Sequence, residues 1–93
     1  HLKNVKTGEE TQLPVDGMFV FVGYEPQNSF LPAGLELDQQ GFIITDCEMR
    51  TNLPGLFAAG DIRSKMCRQV TTAVGDGATA ATAAFTYLEQ LDA

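Results

Sequence analysis

From about Gln69 to Leu91 the apolar residues recur at steps of three and four. Val70, Val74, Gly77, Ala81, Ala84 and Leu88 make one stripe, and Ala73, Ala80, Tyr87 and Leu91 make a second. A surface helix needs one apolar stripe. A helix apolar on two sides sits between layers. The spacing therefore predicts one long C-terminal helix that sits between layers. The Ala/Thr bias of 78–86 suits close helix packing.

The strands are expected to be short and to precede that helix. Residues 2–6 (LKNVK) and 10–15 (ETQLPV) alternate around Thr7-Gly8-Glu9, which reads as a hairpin. Pro14 has no N–H to donate, so its strand lies at an edge or stops there. Residues 18–22 (MFVFV) are continuously apolar, as in a strand buried on both faces. Residues 23–34 (GYEPQNSFLPAG) carry loop chemistry. A short strand is expected over 42–45 (FIIT), after the Gln40-Gly41 turn. A second buried one is expected over 56–59 (LFAA), stopped by Gly60-Asp61. Residues 62–68 form a basic loop with Arg63, Lys65 and Arg68.

The charge balance excludes some functions. Six basic and twelve acidic residues give −6, spread along the chain. Nucleic-acid binding calls for clustered Lys and Arg, so none is expected. No apolar run reaches membrane-spanning length, and no signal-peptide pattern appears. Cys47 and Cys67 form no CxxC, and the only histidine is His1, so no metal site is expected. The two cysteines read as cytoplasmic thiols rather than a disulfide. With 93 residues and no initiator Met, the chain is expected to be a segment of a longer protein.

Two glycine motifs compete for attention. Gly75, Gly77 and Ala80 in VGDGATAA fit G-x-G-x-x-A, the spacing of a dinucleotide-binding turn. That fingerprint needs a strand before it, and a second strand with an acidic residue about twenty positions on. The helical stripe already begins at Val70, and no strand pattern follows it. These glycines are therefore expected inside the helix, as packing positions. The second motif is TNLPGLFAAGD (51–61). An apolar strand there would end in a glycine and place Asp61 at its C-terminal edge, where open α/β sheets bind ligands. A carboxylate at that edge can accept from sugar or polyol hydroxyls. The alternative is a Gly-Asp turn in which Asp61 caps local amides.

The second motif is similar to the second FAD-binding motif of the pyridine nucleotide–disulfide oxidoreductases, T-x-x-x-G-[LV]-F-A-[AT]-G-D. Thr51, Gly55, Phe57, Ala58, Gly60 and Asp61 match it. Arg68-Gln69-Val70 resembles the Arg-Gln-Ala segment of the low-molecular-weight thioredoxin reductases, with Val for Ala. FVFVGYEPQ (19–27) resembles the strand and G-x-x-P linker where those enzymes return from the NADPH domain to the FAD domain.

The resemblance implies a fold, a site and a reaction. The fold is part of an α/β, Rossmann-like FAD/NAD(P)-binding fold. Residues 1–26 would be the end of the NADPH-binding domain, with a hairpin and a buried strand. Residues 27–93 would be the C-terminal segment of the FAD-binding domain. Asp61 would hold a ribityl hydroxyl of FAD, and Gly60 would let the backbone approach. Arg68, Gln69 and Val70 would lie beside the flavin, with the Val70 N–H toward its N1/O2 edge. A helix start there offers free N–H groups and partial positive charge. No catalytic residue is assigned. Neither N-terminal glycine fingerprint nor the redox CxxC occurs in these residues. The parent reaction would carry electrons from NADPH through FAD to the disulfide of thioredoxin or a similar protein. A homodimer, or self-association of the segment, is expected from exposed apolar surface. Two other readings stay open: a non-catalytic module, and part of a ferredoxin–NADP reductase-like flavoenzyme.

Overall fold

In a computed structural model, which describes residues 1–93, the order of elements is β1 (Leu2–Lys3), β2 (Glu10–Thr11) and α1 (Val70–Asp92). The short strands thus precede one long C-terminal helix, as the spacing predicts. β1 and β2 are antiparallel, pairing Leu2 with Thr11 and Lys3 with Glu10. The hairpin is shorter than expected because Asn4 closes its turn early. Its Oδ1 accepts the amides of Lys6 and Thr7, and its own N–H reaches the Glu9 carbonyl at 2.8 Å.

The core lies in the second half of the chain. Only Phe42, Ile43, Met49, Ala58 and Ala83 are buried. They sit where residues 42–58 meet one side of α1. Side chains organise the loops there. Asp38 Oδ1 accepts the amides of Gln40 and Phe42, and Asp46 Oδ1 accepts those of Glu48 and Arg50. Asn52 ties residue 36 to residue 34 through the Glu36 amide and the Gly34 carbonyl.

Three expected strands are not formed. Residues 18–22 belong to no strand and are 66–92% exposed, not buried. A central strand needs neighbours on both edges and layers on both faces, and nothing in these 93 residues lies there. This corrects the buried strand expected within 1–26. The expected strands at 42–45 and 56–59 shrink to isolated bridges. Ile43 pairs antiparallel with Leu37 and parallel with Arg63, and Phe57 pairs antiparallel with Arg50.

Helix α1 shows the same one-sidedness. The side carrying Ala73, Ala80, Ala83 and Tyr87 is covered. Of the other stripe, Val70, Val74, Gly77, Ala81 and Leu88 are exposed. Gly75 and Gly77 lie inside the helix, but apart from their chain neighbours and the helix's own backbone no atom comes within 4 Å of where their Cβ would be. They are therefore not packing positions within these residues. The accessible surface is 7525 Å² for 10.0 kDa, whereas a compact monomer of that mass exposes about 5,200 Å². The radius of gyration is 19.7 Å, against about 12 Å for a compact domain of this length. The molecule therefore exposes far more surface than a closed domain of its length. No helix is long and apolar enough to cross a membrane.

Candidate functional site

The Gly60–Asp61 turn stands at the centre of the candidate site. Gly60 has φ +85°, a left-handed conformation that glycine adopts without steric cost. The Arg63 amide closes the turn on the Gly60 carbonyl at 3.1 Å. The turn is then held from three sides. The Ile62 carbonyl accepts from the Ile43 amide at 2.9 Å. Arg68 Nε donates to the Asp61 carbonyl at 2.9 Å, and its Nη2 donates to the Arg63 carbonyl at 3.0 Å. The same guanidinium lies 3.7 Å over the Phe42 ring, a cation–π contact that fixes its plane.

Asp76 makes the third hold, and sequence reasoning missed it. Its Oδ2 accepts from the Gly60 amide at 3.0 Å, Arg63 Nη1 at 2.7 Å and Lys65 Nζ at 2.8 Å. The three side chains are only 11–12% exposed. Burial alone pushes the Asp76 carboxyl up. The hydrogen bonds from Lys65, Arg63 and the Gly60 amide outweigh it, with the Arg63 charge beside them, and lower the pKa from 3.8 to about 2. The basic loop is thus neutralised in part from within the helix. A signal existed: Asp76 falls three residues after Ala73 and four before Ala80, an acid on the covered stripe. An acid there needs a cationic partner, and the loop holding Arg63 and Lys65 comes just before the helix.

The carboxylate of Asp61 takes no hydrogen bond from any group in the chain, and it is exposed. The turn-cap alternative fails on that point, because local amides do not use this side chain. Asp61 instead lines a cleft of about 300 Å³ with Tyr24, Pro26, Phe30, Phe42 and Arg68. Glu25, Gln27 and Ile62 complete its lining. The cleft therefore has aromatic walls, two free carboxylates in Asp61 and Glu25, and one committed guanidinium.

Gln69 and Val70 are exposed at the start of α1 and do not line the cleft. Gln69 is the N-cap, in extended conformation, and its amide donates to Thr72 Oγ1 at 3.1 Å. The first helical hydrogen bond runs from the Ala73 amide to the Gln69 carbonyl at 3.0 Å. The amides of Val70 and Thr71 have no acceptor within the chain, and no acidic residue occupies the first turn. The N-terminal partial charge of α1 is left uncompensated. Of the five expected site residues, the structure brings together Gly60, Asp61 and Arg68. Gln69 and Val70 follow Arg68 directly but stand outside the cleft, and of the two only Val70 has a free main-chain N–H. Cys47 and Cys67 are free, exposed thiols.

Residues 1–77 match the pyridine nucleotide-disulphide oxidoreductase family. The chain belongs to that family. It is 53% identical over 85 residues to the thioredoxin reductase of Listeria innocua, covering 90% of this chain and 26% of that protein. It is 48% identical over 87 residues to the 34.2 kDa protein in rubredoxin operon of Clostridium pasteurianum, covering 94% of this chain and 28% of that one. The crystal structure of Lactococcus lactis thioredoxin reductase in the FR conformation superposes with a TM-score of 0.76 at 52% identity, over 95% of this chain and 29% of that one. The chain is thus part of a Rossmann-like FAD/NAD-binding α/β fold. It spans under a third of the length of these relatives.

Proposed function

We propose that this chain forms one wall of the flavin site in a thioredoxin reductase-like flavoprotein, which moves electrons from NADPH through FAD to a disulfide. The observation that carries the reading is the unpartnered Asp61 carboxylate, held on a rigid turn beside an aromatic-walled cleft. A free carboxylate there suits a polyol hydroxyl, which needs an acceptor. The free amides of Val70 and Thr71 suit an anionic edge, which needs donors. The donor set therefore fits FAD.

On this reading each residue has a distinct part. Asp61 accepts from a ribityl hydroxyl. Gly60 keeps the turn open to close approach, while its own amide is taken by Asp76. Arg68 works chiefly by holding the turn, since its guanidinium is committed to two carbonyls and the Phe42 ring. Gln69 ends the loop and orients the helix start, and Val70 presents its main-chain N–H. FAD, when bound, supplies the electron-transfer chemistry. Residues 1–26 belong to the end of the NADPH-binding domain, and residues 27–93 to the C-terminal segment of the FAD-binding domain. Thioredoxin or a similar disulfide protein is the partner, the whole protein is a homodimer, and it works in the cytoplasm. The two free thiols support that last assignment.

The test is the absorbance of the intact protein that carries these residues. It is expected to purify yellow, with the two visible flavin bands. A colourless, well-folded intact protein that takes up no added FAD would overturn the reading.

A further inference from the structure

We propose that Asp76 is a positioning residue for the cofactor, which it never touches: it fixes where the Asp61 carboxylate stands relative to the start of α1. The inference rests on the flavin-wall reading above and deepens it. The two proposed cofactor contacts come from different elements. The acceptor, Asp61, is on the turn, and the donors are the first amides of α1. Their relative placement depends on what joins turn to helix.

Asp76 is that joint. Residues 60–65 reach the body of α1 by hydrogen bonds only through its Oδ2. Asp76 lies six residues into the helix from Val70, a rise of about 9 Å. It therefore anchors the turn to rigid helix rather than to the fraying first turn. Arg63 extends the anchor, because its Nε also donates to Thr45 Oγ1 at 2.8 Å. The anchor bonds the residue before Asp61 and the residue two after it, so the backbone of Asp61 is gripped on both sides. Gly75 and Gly77 flank Asp76 on exposed sides of the helix and carry no side chain that could reach its carboxylate. Nothing else in the chain competes for the carboxylate.

A residue that acts through Asp61 differs measurably from one that merely stabilises the fold. The experiment uses the intact flavoprotein, stripped of FAD and titrated with FAD, as parent, Asp61→Ala, Asp76→Asn and the double variant. Each single change is expected to weaken FAD binding about tenfold, and the double variant by less than about threefold beyond Asp61→Ala alone. Such non-additivity marks two residues that work as one unit. Should Asp76→Asn fail to fold, Lys65→Met removes one of the three donors and should couple to Asp61→Ala in the same sense. Losses that multiply in the double variant would overturn the proposal, as would unchanged FAD affinity in Asp76→Asn while Asp61→Ala is weakened. Unchanged affinity in Asp61→Ala would instead remove the flavin-wall reading, and this inference with it.

Discussion

Replacing Asp76 with Asn tests the ion cluster through a single amide. The substitution removes the charge and keeps the shape. Arg63 and Lys65 are then left nearly buried without a counter-charge. The size of the effect follows from the carboxyl's depression from 3.8 to about 2. At about 1.4 kcal/mol per pKa unit, the ceiling is about 2–3 kcal/mol. The cluster lies just under an open surface, so screening trims this to about 1–2 kcal/mol. The reporter is the Gly60 amide, which Asp76 holds at 3.0 Å. Loosening by that amount speeds its hydrogen exchange about 5- to 30-fold at pH 7. The Ala58 amide, bonded to the Met49 carbonyl at 3.0 Å, takes no part in the cluster and should exchange as before. The pH dependence has a definite sign. A carboxyl whose pKa is lowered by folding contributes fully above its unfolded value, and loses that contribution as pH falls toward the folded one. The parent-to-variant ratio should therefore hold above about pH 5 and shrink between 3.8 and about 2. Equal Gly60 exchange in parent and variant at pH 7 would refute the reasoning.

Two further outcomes follow from the same geometry. Gly60→Ala should destabilise the intact protein by about 1–2 kcal/mol through its φ of +85°. Space is not the cause, since a Cβ there would meet the Ala73 Cβ at an ordinary 3.8 Å. The expected reading is a drop of about 2–6 °C in thermal midpoint, and an unchanged midpoint would contradict it. The 93-residue chain by itself should self-associate through Met18–Val22 and the open face of α1. Light scattering that finds only monomer would count against that.

The sequence exposed what was local and repeated. Helix α1 declares itself because its period recurs over six turns, and it starts at Val70 where the stripe starts. VGDGATAA falls inside that helix for the same reason. Asp61 was legible because a glycine ends the apolar run just before it. The β1–β2 hairpin was legible too, though shorter than expected, but the three strands expected after it are not formed. Whether MFVFV becomes a strand depends on neighbours that lie outside these residues, so its composition shows only that it belongs in a core. Its exposure and the uncovered stripe of α1 have the same cause. Asp76 was hidden differently. Its partners Gly60, Arg63 and Lys65 lie 11–16 residues upstream, and the clue was an acid on a stripe that must be covered. Arg68 shows the limit of motif reading: its position is found from the motif, but its grip on two carbonyls and Phe42 comes only from the fold.

The account stands most directly on Asp61. FAD titration of the stripped intact protein, comparing the parent with Asp61→Ala, isolates one carboxylate that nothing else in the chain uses. The account predicts affinity weaker by about tenfold, the size of one lost hydrogen bond to a charged group. Affinity equal to the parent's, in a protein that still folds, would contradict it.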